Sequence, residues 1–111
     1  MNYRNLRVAK LIKEELSILL MKEFEFEGAL VTINNVEAHK DLTGAAIKIG
    51  VIPAEKAATI LTVIQARAGA LRNMLLKKIN IKPMPALFFE IDKGAEAAAD
   101  FDKAFLKSKN K

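Results

Sequence analysis

The sequence predicts an α+β fold in which helices cover one face of a three-stranded sheet. Two stretches carry an apolar residue at every third or fourth position, and three shorter stretches alternate apolar and polar residues, in the order α-β-β-α-β. The chain has 111 residues, of which 51% are hydrophobic. A chain of that length can bury one modest core, so we expect a single globular unit.

The first element is an amphipathic helix over residues 3 to about 22. Its apolar residues recur at spacings of four, four and three, which places them on one helical face. Residues 23–28 then break the pattern, since Glu alternates with Phe there and Gly28 provides a stop signal. The residues of the apolar face are Val8, Ile12, Leu16 and Leu19.

Two strands joined by a short connection predict a hairpin. The first, Leu30–Ala38, changes the phase of its alternation at residues 34–35, where one extra residue would restore a single buried face. We therefore expect a β-bulge at that point. Residues 39–42 form the connection and residues 45–51 the second strand, which Pro53 ends because proline cannot donate to a strand ladder.

A long helix is predicted for residues 54 to about 79. Gly69 lies near its middle, where glycine costs about 1 kcal/mol relative to alanine unless a kink or a close approach requires it. Residues 86–92 form a third strand. Its adjacent Phe88 and Phe89 must point to opposite faces, so one belongs to the core and the other is exposed.

Gly94 closes the third strand and divides the chain. Residues 1–94 form the domain, and residues 95–111 form either a terminal helix containing Phe101 and Phe105 or a frayed basic tail.

Cations are concentrated in two acid-free stretches of a chain with 18 Lys and Arg, 13 Asp and Glu, and a formal net charge of +5. One stretch opens the first helix, where the helix macrodipole disfavours each cation by ~0.3–1 kcal/mol. An anionic partner is the simplest reason for that placement, and an ordinary solvated face is the alternative. The cations of this stretch are Arg4, Arg7, Lys10 and Lys13.

The second stretch surrounds and follows Gly69. Lys77 and Lys78 fall in the last helical turn, where the dipole favours cations, so capping alone explains them. Arg67 and Arg72 flank Gly69 and would present guanidinium groups to a phosphate chain. Lys82 follows the helix.

The sequence lacks the residues that catalysis and metal binding require. His39 is the only histidine and lies in the hairpin connection, there is no Cys, and no phosphate-loop or nucleophile-elbow motif occurs. We therefore predict no enzyme, no metal, no cofactor and no small-molecule substrate. No apolar run approaches the ~20 residues that span a bilayer, and the charged amino terminus is not a signal peptide, so we expect a cytoplasmic protein.

Four motifs occur along the chain in order. They are Arg7-Val8-Ala9, then Val36-Glu37 followed by Asp41-Leu42, then Ala68-Gly69-Ala70-Leu71-Arg72, and Pro85-Ala86-Leu87-Phe88-Phe89 leading to Asp92. Together they resemble the bacterial ribosome-binding factor A family over about residues 4–92. The element order is also similar to the type II KH module, whose Gly-x-x-Gly loop clamps a nucleic-acid backbone.

The resemblance implies a type II KH-like fold, α-β-β-α(kink)α-β, with the kink at Ala68 and Gly69. In that family an Ala-x-Gly kink replaces Gly-x-x-Gly, and Arg67 stands here in place of its first alanine. It further implies an assembly factor, expected to be a monomer, that binds 16S rRNA on free small (30S) ribosomal subunits and supports late maturation of that rRNA. The implied RNA-binding residues are Arg4, Arg7, Lys10, Lys13, Arg67, Gly69, Arg72, Lys77, Lys78 and Lys82.

Two alternatives remain open at this stage. One is a protein-interaction module without an RNA role, which dimerises through the amphipathic helix and an exposed sheet edge. The other is an enzyme for an acidic metabolite, which requires a pocket that gathers carboxylates.

Overall fold

A three-stranded sheet forms the base of the molecule. The structure, a computed structural model, describes residues 4–93. Strands β1 (Leu30–Ala38) and β2 (Gly44–Ile52) form an antiparallel hairpin, and β3 (Ala86–Ile91) pairs in parallel with β2. The strand order is β1-β2-β3, so β2 is central and β1 and β3 are edges.

Three helices cover one face of this sheet. They are α1 (Arg4–Glu23), α2 (Ala57–Ala66) and α3 (Ala68–Lys78), and a 3-10 turn, Ala54–Lys56, leads into α2. Helix α1 packs on β1 and α3, whereas α2 packs on β2 and β3. The predicted element order, the α+β class and the helical layer on one face are confirmed.

The core lies between the sheet and the helices. Ala45, Ile47 and Ile49 of β2 point toward the helices and are fully buried, as the alternation predicted. Each large apolar side chain buried in this way contributes about 1.5–3 kcal/mol. The predicted apolar face of α1 is confirmed, because its four residues are all buried: Val8, Ile12, Leu16 and Leu19.

The predicted β-bulge is also present. Ile33 pairs with Ile49 and Asn35 pairs with Lys48, which leaves Asn34 as the extra residue of β1. In a regular strand, residues three positions apart point to opposite faces of the sheet. Because of the extra residue, Ile33 and Val36 are both buried on the same face.

The interruption of the second helical stretch lies at Arg67, which stands in place of the first alanine of the family motif and directly precedes the predicted kink residues Ala68 and Gly69. Arg67 has φ −102° and ψ 6°, whereas Ala68 and Gly69 are the first two residues of α3. A Cβ at Gly69 would meet no atom within 4 Å. The helix axis turns at Arg67 because α2 packs on β2 and β3 while α3 packs on α1 and β3.

The second face of the sheet is open and mainly polar. Lys48 and Glu90 form an ion pair of 2.6 Å across β2 and β3, and this partner raises the pKa of Lys48. Asn34 donates to Asp92 Oδ2 at 3.0 Å. Phe88 is 59% exposed on this face while Phe89 is buried, so the predicted division of the two rings is confirmed.

Some predictions concern residues outside the described range. These are the start of the first helix at Tyr3, the stop at Gly94, and the terminal helix or basic tail of residues 95–111 with Phe101 and Phe105. Within residues 4–93, no helix combines the length and the apolar composition that crossing a membrane demands.

Candidate nucleic-acid interface

Helices α1 and α3 lie side by side in opposite directions, and this arrangement joins the two basic stretches at one end. Arg4 Nη2 donates to the carbonyl oxygen of Lys82 at 3.0 Å, which fixes the start of α1 beside the segment that follows α3. Lys77 and Lys78 occupy the last turn of α3. We call this region the basic end and define it as Arg4, Lys77, Lys78 and Lys82.

The cations of α1 cross its outer surface obliquely. They are spaced three residues apart, and each step of three residues turns back by about 60° around a helix of 3.6 residues per turn. The direction in which the side chains leave the helix axis therefore changes by about 180° between Arg4 and Lys13, over a rise of ~14 Å. Arg4 lies on the side of α3, and Lys10 and Lys13 lie on the side of β1.

Most of these cations are available to an external anion. Within residues 4–93, no carboxylate forms an ion pair with Arg7, Lys10 or Lys13, nor with the lysines of the basic end. The first turn of α1 contains no acidic residue. Its cations therefore oppose the positive end of the helix dipole, and a bound anion would relieve that repulsion.

Arg67 is occupied within the fold. Its Nη2 atom lies 3.6 Å from Glu23 Oε1, and its guanidinium lies 5.3 Å from the centre of the Phe24 ring. Phe24 in turn stacks on Phe26 with a centroid distance of 5.2 Å. These contacts hold the kink against the end of α1, so Arg67 would have to leave them in order to bind a phosphate.

Arg72 is occupied as well. Its Nη2 atom donates to the carbonyl oxygen of Met84 at 2.7 Å and its Nε atom to that of Pro85 at 3.3 Å. Both acceptors belong to the segment that leads into β3, so Arg72 joins α3 to the sheet. This role could not be predicted from the sequence, because the acceptors are backbone groups.

The ten predicted RNA-binding residues thus do not form one surface around the kink. Seven of them, at the basic end and on the outer surface of α1, adjoin one another through the contact of Arg4 with Lys82. Gly69 is exposed, and Arg67 and Arg72 make internal contacts. Their contact with RNA stays a prediction for all ten.

A groove between α1 and β1 adds a feature that sequence reasoning missed. Its volume is about 260 Å³. Finding it requires the knowledge that β1 is an edge strand and lies beneath α1, which depends on the strand order. The only signal in the sequence was that Lys10 and Lys13 lie on the same helix as Leu6, a leucine outside the predicted apolar face. The groove is lined by Leu6, Ala9, Lys10, Lys13, Asn35 and Val36.

The described residues contain exposed cations and no cluster of potential metal ligands. No group of three or more His, Asp or Glu in residues 4–93 is placed to hold a metal ion. His39 is exposed in the hairpin connection. Beside it, hydrogen bonds from the backbone N–H and the hydroxyl of Thr43 lower the pKa of Asp41, so that carboxyl is a turn-stabilising anion.

Comparison with protein families and curated sequences gives a consistent result. The family model described as ribosome-binding factor A matches residues 4–105. Ribosome-binding factor A from Methylibium petroleiphilum is 35% identical over 102 residues, which cover 89% of this chain and 75% of the relative. The protein of the same name from Akkermansia muciniphila is 26% identical over 100 residues, which cover 90% of this chain and 80% of the relative.

Solved structures share the fold. The crystal structure of ribosome-binding factor A from Thermus thermophilus superposes with a TM-score of 0.68 at 19% identity, covering 80% of this chain and 97% of that one. A homology model of the Thermus thermophilus ribosome-binding factor A, fitted into a cryo-electron microscopy map of its complex with the 30S subunit, gives a TM-score of 0.66 at 18% identity, covering 78% of this chain and 92% of that one.

Proposed function

Because the chain belongs to the ribosome-binding factor A family, we propose that it is a non-enzymatic assembly factor of the small ribosomal subunit. In this proposal it binds 16S rRNA on free 30S subunits and supports late maturation of that rRNA. A relative with the same fold is described in a complex with the 30S subunit, which supports this choice of partner.

One observation carries the proposal to this chain. The antiparallel packing of α1 and α3 brings the segment after α3 beside the first turn of α1, so that the cations of the basic end lead into those that wind along α1. A surface on which Arg7, Lys10, Lys13 and the lysines of the basic end have no ion-pair partner within residues 4–93 is suited to the phosphates of a nucleic acid, which dominate affinity and require no chemistry.

The location of this surface differs from the one that the resemblance implied. Arg67 and Arg72 have partners inside the fold, so the kink contributes fewer available charges than the basic end. Gly69 is still one of the proposed contacts. No described atom lies within 4 Å of a Cβ at that position, so packing within the fold does not require a glycine there. Close approach of an RNA backbone would account for a glycine at that exposed position.

The dimerising module has weaker support. The apolar face of α1, which that alternative would use, is buried against β1 and α3 of the same chain. The monomeric state itself stays a prediction.

Sedimentation with purified ribosomal fractions tests the proposed function. We expect the protein to sediment with free small subunits at low salt, to sediment less with assembled ribosomes, and to be released as salt is raised, because phosphate contacts are lost with increasing ionic strength. Failure to sediment with free small subunits at low salt would contradict the proposal.

A further inference from the structure

We propose that the groove between α1 and β1 binds a single-stranded segment of RNA. The phosphates of that segment contact Lys10 and Lys13, and one of its bases enters the groove. This inference rests on the proposed RNA-binding function and adds a second mode of contact, base recognition at a sheet edge.

The walls of the groove match the two chemical parts of a nucleotide. Lys10 and Lys13 are exposed at its rim and have no ion-pair partner within residues 4–93, so they can neutralise phosphates. Leu6, 61% exposed, supplies an apolar surface for the flat face of a base, while the largely buried Ala9 and Val36 form the floor of the groove.

The free edge of β1 supplies hydrogen-bonding groups for the same base. In an antiparallel strand the backbone N–H and C=O of alternate residues point to the same side. The carbonyl of Ala38 points away from β2, because it accepts a hydrogen bond of 3.4 Å from Asn5 of α1. The N–H and C=O of Val36, two residues earlier and beyond the bulge, therefore also point away from β2, and Val36 lines the groove.

These groups distinguish a single strand from a duplex. The edge of an unpaired base can bond to an N–H beside a C=O, whereas the same edge in a duplex is occupied by its partner base. Every base has a donor next to an acceptor on that edge, so one residue of β1 confers little sequence preference. The carboxylate of Glu37 is not a lining residue of the groove, although it accepts a hydrogen bond from the amide of Asn35, which is one. Lys48 on the neighbouring strand balances part of its charge.

Equilibrium binding of a short mixed-sequence RNA tests the charge contribution. The double variant Lys10→Gln, Lys13→Gln removes both rim charges. It should reduce the slope of log affinity against log salt by about 1.4 for a single strand, because each phosphate contact contributes about 0.7. The matched control is Lys40→Gln, Lys93→Gln, which removes two exposed lysines that do not line the groove and should leave the slope unchanged. Circular dichroism and thermal unfolding check that both variants fold.

A crosslinking experiment tests the position of the base. The unmodified protein is irradiated with the same RNA carrying thiouridine, and crosslinked peptides are identified by mass spectrometry. We expect crosslinks to residues 5–13 and 35–38, and competition by single-stranded RNA but not by an equal amount of duplex RNA.

The outcomes separate this inference from the proposed function. RNA binding with an unchanged salt slope in the Lys10, Lys13 variant, or with crosslinks confined to other peptides, overturns the groove and leaves the function standing. Equal competition by duplex RNA also overturns it. Absence of binding to this RNA by the unmodified protein overturns the groove as well, whereas only failure to sediment with free small subunits overturns the proposed function.

Discussion

The kink segment, residues 67–72, and the basic end both carry cations, but they use them differently. Arg67 and Arg72 bind Glu23, the Phe24 ring and two backbone carbonyls of their own chain. Lys77 and Lys78 are exposed and have no ion-pair partner within residues 4–93. The cations of the kink segment are therefore engaged within the fold, whereas the lysines of the basic end are exposed at the surface that we propose for RNA binding.

The physical basis of this difference is the choice of side chain and its position. The planar guanidinium of arginine can donate several directed hydrogen bonds, as Arg72 does to Met84 and Pro85, and can stack on a ring, as Arg67 does on Phe24. A lysine ammonium on a solvated helix end stays hydrated and mobile, which suits phosphate contacts that must form and break.

The largest effect is expected for Arg72→Ala. The substitution leaves the carbonyls of Met84 and Pro85 without their charged donor and should reduce the free energy of unfolding by about 1.5–3 kcal/mol. Urea unfolding at constant salt measures it. Arg72→Lys keeps the charge but cannot make both hydrogen bonds. Its free energy of unfolding should lie between those of the unmodified protein and Arg72→Ala. An unchanged unfolding midpoint for Arg72→Ala would show that these hydrogen bonds do not stabilise the fold.

Removing the charges of the basic end should affect binding before stability. Lys77→Gln, Lys78→Gln should weaken binding to free small subunits by about tenfold, since two phosphate contacts are lost. The same variant should lose only about 0.5–1 kcal/mol of stability, from the favourable placement of cations at the end of α3. Quantitative sedimentation and urea unfolding provide the two values. If the free energy of unfolding fell by more than the free energy of binding, the lysines of the basic end would serve mainly to stabilise the fold, as the arginines of the kink segment do.

Arg67→Ala should destabilise the protein moderately. An exposed ion pair and a cation–π contact together contribute about 1 kcal/mol. A double-mutant cycle with Glu23→Gln isolates the contribution of the ion pair, which should weaken as salt is added. A coupling energy of zero at low salt would mean that the ring of Phe24 alone holds Arg67.

The smallest change is expected for Gly69→Ala, and it has the opposite sign. Gly69 is exposed and helical, and a Cβ there meets no atom within 4 Å, so alanine should stabilise the protein by about 0.5–1 kcal/mol. Thermal unfolding measures this gain. Sedimentation of the same variant with free small subunits examines the functional role: weaker binding is expected if an RNA backbone approaches Gly69 closely, and unchanged binding would exclude that approach.

Much of the fold could be predicted because its information is local. The spacing of Val8, Ile12 and Leu16 specifies the buried face of α1, and the change of phase at Asn34 specifies the bulge in β1. Both patterns arise from the fixed periods of helices and strands, so they can be read without knowledge of the neighbouring elements. The exposed position of Phe88 and the buried position of Phe89 follow from the same rule.

The sequence alone determined the element order, the family resemblance and the identity of the cations. Tertiary structure decided which of those cations are available, where the helix turns, and that β1 provides a free edge beside Lys10 and Lys13. Arg4 and Lys82 are 78 positions apart and Arg72 reaches a carbonyl 12 positions away. Such partners are chosen by packing between elements, and no local period of the chain encodes that packing.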